Sequence, residues 1–377
     1  MANEDKATRY HRLQRRASIL STVLTVVVLT GLLVTGVSIA IRDLVSGWVG
    51  TSFVLLVLGY VAVLGVLLEV VQLPLAFYRG VTLERRYGLS TQTTTRWWID
   101  HIKAAAISLV FAAVAALIVL SLIRWDAERW WIAAAIVFTV ILVVLAQLAP
   151  VVLLPLFYDI TPLTRSELRD RLLALAGKAG THIAGVFEWR LSDRTKKANA
   201  ALAGIGRTRR ILLSDTLLAG HSDDEIEVIL AHELAHHVYR DIWSAILVET
   251  ALVALGCFAA DRVLGFLADS AGLQGKSDVA GLPLLVLATG AVSLALMPVS
   301  NALSRAHERR ADRYALQMTG NAPAFITAMK RLSAQNLAEE DPSRIVQILF
   351  HTHPPIAARI AAAQQQVRVR PQTGRSG

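Results

Sequence analysis

A single cysteine, Cys257, stands in a chain of 377 residues, so no internal disulfide can staple the fold. It lies within an apolar run and reads as a small core or lipid-facing residue. Charge is also scarce, at 18% of residues, where a soluble domain carries about 25%. Together these shortages exclude a disulfide-rich secreted domain, a disordered chain and an ordinary soluble enzyme. What fills the chain instead is apolar: 54% of residues, gathered in nearly charge-free runs. Runs of about 20 such residues cross a hydrocarbon core roughly 30 Å thick. The remaining charge is positive, +9 net. In a membrane protein this balance points to loops facing anionic lipid, and no nucleic-acid partner is expected.

Six spans are expected, at Ser18–Ile41, Trp48–Tyr78, Ala104–Ile123, Trp130–Leu154, Trp243–Leu267 and Leu282–Val299. The first follows a basic start (Lys6, Arg9, Arg12, Arg15, Arg16), is too long for a signal-peptide core and reads as a retained anchor. Tryptophans at 48, 97, 98, 125, 130, 131 and 243 gather at span ends, as in an interfacial belt. The 1–17 tail and the Arg79–Lys103 loop are basic, whereas the loops at 42–47, 124–129 and 268–281 carry few positive charges. This alternation predicts that both termini and the polar block 155–242 face the cytoplasm. The expected organisation is a tail at 1–17, four spans within 18–154, a catalytic block at 155–242, two spans within 243–300, a helical block at 301–367 and a disordered tail at 368–377.

Within the first polar block, Ser166–Lys178 has helical periodicity. Val186–Leu191, Asn199–Ala203 and Arg210–Ser214 read as short strands, the last two joined as a hairpin by Gly204, Gly206 and Arg207. Ser222–Tyr239 reads as a helix opened by a capping box of Ser222 and Glu225.

That helix carries His232-Glu233-Leu234-Ala235-His236. Positions four apart share a helix face, so both imidazoles can bind one ion, with Glu233 in reach of a water on it. Downstream, Glu308 and Asp312 are again four apart. Glu308 is the expected third metal ligand, and Asp312 can accept the outer N–H of a ligating histidine. His307 competes, but it lies about 100° around the helix from Glu308. His237 points elsewhere on its helix. In His351-Thr352-His353-Pro354-Pro355, two prolines hold a histidine before a new helix that carries Arg359. Such a histidine is either a donor aimed into a cleft or part of a capping loop.

Taken together, these motifs resemble the Ste24-type CAAX prenyl proteases, membrane zinc peptidases of the M48 clan. The likeness extends to Leu83–Leu89, Leu154–Leu163, Asn199-Ala200 with Gly204, and Arg210–Leu218, in the family's order over about residues 50–365. Eukaryotic members have seven spans, and six are counted here. The resemblance implies one Zn²⁺ per chain on His232, His236 and Glu308, with Glu233 as general base. It implies Asp312 behind the ligands, and His353 and Arg359 close to the scissile carbonyl. It implies substrate backbone pairing with an edge strand near Asn199, Ala200 and Ala201.

The reading is an α-helical polytopic membrane protein with a small α+β gluzincin-like zinc peptidase domain, acting on peptide or membrane-protein substrates in the lipid bilayer. The composition suggests a bacterial cell membrane. With a bacterial host, quality control of membrane proteins by a heat-shock-type M48 peptidase is an alternative to CAAX-type cleavage. A site-2-type intramembrane protease and a non-catalytic metal-binding membrane protein are the rivals from other classes.

Overall fold

A computed structural model describes residues 5–148, 152–204 and 209–369. The membrane part comprises α1 (Lys6–Val34), α2 (Val37–Val49), α3 (Phe53–Phe77), the short α4 (Glu84–Arg86), α5 (Thr94–Trp125) and α6 (Trp130–Leu148). Among the described residues, six helices are long and apolar enough to cross a membrane: α1, α3 with its π-helical extension to Arg86, α5, α6, α11 (Asp241–Leu267) and α12 (Leu282–Thr319). The expected first span is corrected in one respect. The apolar run does not continue to Ile41 as one helix, because Gly36 takes a left-handed φ of 73° and the chain restarts there as α2. Trp130 is no belt residue either. It is fully buried, and its indole N–H donates to Asp261 (2.9 Å).

Between α6 and α11 the chain forms α7 (Leu154–Phe157), β1 (Ile160–Pro162), α8 (Ser166–Lys178), β2 (Gly185–Trp189), β3 (Ala200–Ala203), β4 (Arg210–Ser214), α9 (Asp215–Gly220) and α10 (Asp223–Val238). The sheet order is β1-β2-β4-β3, with β2 and β4 parallel and β3 antiparallel to β4. The expected hairpin is therefore present, and β3 is an edge. Gly206 and Arg207 of its turn lie outside the described residues, as does the part of the expected tail beyond Val369. Arg368 is not in a loose tail, since it belongs to α15 (Ile356–Val369). Ahead of it come α13 (Ala322–Asn336) and α14 (Arg344–Phe350).

Among the described residues, two large cores hold the molecule, with a small third cluster of Tyr10, Leu83, Tyr87 and Leu89. One joins α8, β2, β4, α10 and α13 through fully buried Leu168, Ile211, Ile226 and Phe325. The other joins the membrane helices through Leu29, Tyr60, Leu120 and Trp130. Between α3, α5, α6, α11 and α12 lies an apolar cavity of about 590 Å³, lined by residues such as Val61, Phe138, Leu252 and Leu285. α12 connects the two regions. Its 38 residues extend about 57 Å, far more than a hydrocarbon core requires, so its C-terminal half stands clear as a post for the polar block. The start of α1 is tied to that block too: Arg15 donates to Glu339 (2.5 Å), and Lys197 pairs with Glu84 (3.0 Å) beside Tyr10.

Candidate metal centre

α10 begins as its sequence dictates. Ser222 accepts from the Glu225 N–H, and the Glu225 carboxylate accepts the Ser222 N–H at 2.8 Å. The helix buries Ile226, Leu230, Ala231 and Leu234 against the sheet and α13. This leaves His232 and His236 turned toward α12. There Ala311 and Ala315 are buried, and Glu308 and Asp312 face back between them.

The donor atoms converge. His232 Nε2 lies 3.2 Å from Glu308 Oε2, His236 Nε2 lies 3.4 Å from Glu308 Oε1, and the two Nε2 atoms are 3.4 Å apart. Each imidazole is oriented from behind by a carboxylate. His232 Nδ1–H donates to Asp312 (2.9 Å), and His236 Nδ1–H donates to Asp241 (2.9 Å). With those protons at Nδ1, both Nε2 atoms present lone pairs to one another and to the carboxylate. Glu308 Oε2 is buried without a hydrogen-bond partner. Acceptors facing acceptors are stable only with a positive charge among them. One remedy is a proton. Burial disfavours a charged His232, yet its bonds to Asp312 and Glu308 outweigh burial and push its pKa up to about 9. The other remedy is a cation, and His232, His236 and Glu308 could hold a metal ion.

Glu233 lies beside this group and has no hydrogen-bond partner among the described residues. It lines a cleft of about 210 Å³ together with His236 and with Leu202 and Gly204 at the far end of β3. Burial raises its pKa, the direction that suits a proton acceptor working near neutral pH. His353 Nε2 is 3.3 Å from Glu308 Oε1 on the open side, with 60% of its side chain exposed. Arg359 is placed differently. It is buried and gives its Nε–H (2.8 Å) and Nη2–H (2.5 Å) to Asp312, behind His232. Asn199 is exposed, and Ala200 and Ala201 are half-buried on the β3 edge. His307 faces away, within 3.3 Å of Ser244 Oγ.

Asp241 is the residue that the sequence reading missed. It holds His236 from the junction of α10 and α11 and is itself gripped by Arg310. The available signals were an acid five residues after His236 and the arginine pair next to Glu308.

Comparisons with known proteins bear on the family and the fold. The model described as "Peptidase family M48" matches residues 162–367, and "CAAX prenyl protease N-terminal, five membrane helices" matches residues 2–159. An uncharacterized metalloprotease of Bacillus subtilis, YhfN, is 33% identical over 89% of this chain and 79% of its own length. CAAX prenyl protease 1 of Saccharomyces cerevisiae is 27% identical over 80% of this chain and 71% of its own. The crystal structure of S. mikatae Ste24p superposes with a TM-score of 0.84 at 23% identity, covering 95% of this chain and 87% of that one, and so shares the fold.

Proposed function

The chain belongs to peptidase family M48, as a membrane metallopeptidase of the CAAX prenyl protease type, and we propose that it is a zinc endopeptidase whose base is Glu233. The observation that carries this reading is the convergence of three lone-pair donors beside an unpartnered carboxylate, in a cleft that ends on an open strand edge. Donor separations of 3.2–3.4 Å also support zinc. Ligands about 2.0–2.1 Å from a tetrahedral ion stand about 3.3 Å apart.

His232, His236 and Glu308 would hold the ion, which when bound supplies a water activated near neutral pH and a polarised scissile carbonyl. Glu233 takes a proton from the attacking water and passes it to the departing amine. Asp312 and Asp241 keep the two imidazoles in the ligating tautomer. Arg359 acts by fixing Asp312. His353, exposed beside Glu308, donates to the oxyanion that develops in the transition state. The free edge of β3 offers backbone groups to an extended peptide.

The substrate class we favour is the peptide chain of membrane-associated proteins, including CAAX-type C-termini as the yeast relative's name suggests. We place the enzyme in a bacterial cell membrane with its active site toward the cytoplasm, on the loop charges. The helix α10 is not among the described helices long and apolar enough to cross a membrane, which supports this reading over a site-2-type protease. The test is metal removal and return. Purified protein stripped by a chelator should lose turnover of a fluorogenic peptide and regain it with one equivalent of zinc. Turnover that survives complete stripping would overturn the reading.

A further inference from the structure

The cleft beside Glu233 carries positive charge that the hydrolytic step does not use. Arg209, Arg240 and His237 line it together with Gln147 and Trp243, and among the described residues Glu233 is its one acidic group. Neither Arg209 nor Arg240 has a hydrogen-bond or ion-pair partner for its guanidinium among the described residues. Other arginines of the same block are matched, although Arg210 next to Arg209 lies over the Phe187 ring without a carboxylate among the described residues. Arg165 pairs with Asp223, Arg171 pairs with Asp224 (2.7 Å), and Arg310 is bound to Asp241.

The placement of both arginines is specific. Arg209 directly precedes β4, whose Arg210 pairs with Ala203, so it stands just beyond the end of the free β3 edge. Arg240 sits at the junction of α10 and α11 with a left-handed φ of 55°. Glycine or asparagine adopts that conformation at lower cost, so the junction carries its arginine against the backbone preference. Burial disfavours the charge on Arg209, and no neighbouring carboxylate offsets it.

We propose that Arg209 and Arg240 form an anion subsite that binds a carboxylate of the peptide substrate where the peptide leaves the β3 edge. The carboxylate is either the C-terminal group or an acidic side chain. The proposal rests on the peptidase reading above. A peptide lying along β3 with its scissile bond at Glu233 shares this cleft, and its carboxylate would pair with two guanidinium groups that have no carboxylate partner among the described residues.

The experiment uses full-length zinc-loaded protein in phosphatidylcholine proteoliposomes. Matched fluorogenic peptides end in a free carboxylate or an amide, and a second set carries Glu or Gln at each position after the scissile bond. Wild type should favour one carboxylate form by roughly tenfold in kcat/KM. The member of the set that shows the preference identifies the carboxylate source. Arg209→Gln and Arg240→Gln should bring that ratio close to one, and Arg240→Lys should restore part of it. Zinc content and Tm are measured on each preparation. Equal kcat/KM for acid and amide and for every Glu/Gln pair in wild type overturns the subsite without any variant. A ratio unchanged in folded, zinc-loaded variants overturns it as well. If the variants lose only a stimulation by added phosphatidylglycerol, the arginines bind lipid phosphate and the proposal fails. Absence of zinc-dependent turnover on every peptide would instead refute the peptidase reading.

Discussion

Asp312→Asn isolates the tautomer control on which the centre depends. The Asp312 side chain is 8% exposed and its carboxylate accepts three bonds: one from His232 Nδ1–H at 2.9 Å, and two from Arg359 at 2.8 and 2.5 Å. Asparagine keeps the shape but has one acceptor oxygen. With the oxygen in place of Oδ2 it accepts only the Arg359 Nε–H, and the amide N–H points at His232 Nδ1 and drives the proton to Nε2, where it blocks the metal. With the oxygen in place of Oδ1, shared by His232 and Arg359 Nη2, the amide N–H meets the Arg359 Nε–H, donor against donor. Either arrangement loses a charge-assisted bond and leaves a buried donor unmatched, about 1–3 kcal/mol. That corresponds to a 10- to 100-fold weaker hold on zinc, the usual range for partners behind a ligand. Competition with a calibrated chelator measures the affinity, and Tm checks the fold. Asp312→Ala should be worse, because it leaves Arg359 charged, buried and unpaired, at a cost of about 3–5 kcal/mol. Wild-type zinc affinity in folded Asp312→Asn would refute the argument.

Further outcomes follow from the same geometry and from the loop charges. His353→Ala should keep its zinc and lower kcat and kcat/KM together by about 10²–10³, with KM little changed; a normal kcat would return His353 to the role of a loop residue. Zinc must displace the proton that His232 holds up to about pH 9 in the metal-free protein, so apparent zinc affinity should fall about tenfold per pH unit as pH drops below 9. The same group stabilises the metal-free fold fully below its ordinary pKa of 6.5, a contribution lost as pH rises through about 9, so the Tm of stripped protein should decline across that window. Cysteine labelling at positions 192 and 277 should occur from opposite sides of the membrane, and labelling from one side would overturn the expected orientation.

Local chemistry made most of the centre legible. Two imidazoles and two carboxylates at four-residue spacing had to share helix faces, and the Ser222–Glu225 box marked where α10 starts. The strands β2, β3 and β4 were readable because each is a short apolar run next to a turn. The three residues of β1 were not, since a strand ending in Pro162 has no pattern of its own and exists only by pairing with β2. Gly36 was legible as a residue but not as a break, because hydropathy has no term for a left-handed φ. Arg359 illustrates the larger gap. Its spacing from His353 places it on the right helix, yet only tertiary packing shows that its fork goes to Asp312. Asp241 was invisible for the same reason, as a bend between α10 and α11 brings it back onto His236.

The central claim is that one bound zinc and the Glu233 carboxylate divide the work of peptide hydrolysis. The measurement that tests it most directly is metal content and peptide turnover on the same preparations of wild type and Glu233→Gln. The substitution removes a base but no ligand, so the variant should retain one zinc per chain while turnover falls by about 10²–10⁴. A zinc-loaded Glu233→Gln protein that cleaves peptide at the wild-type rate would contradict the account.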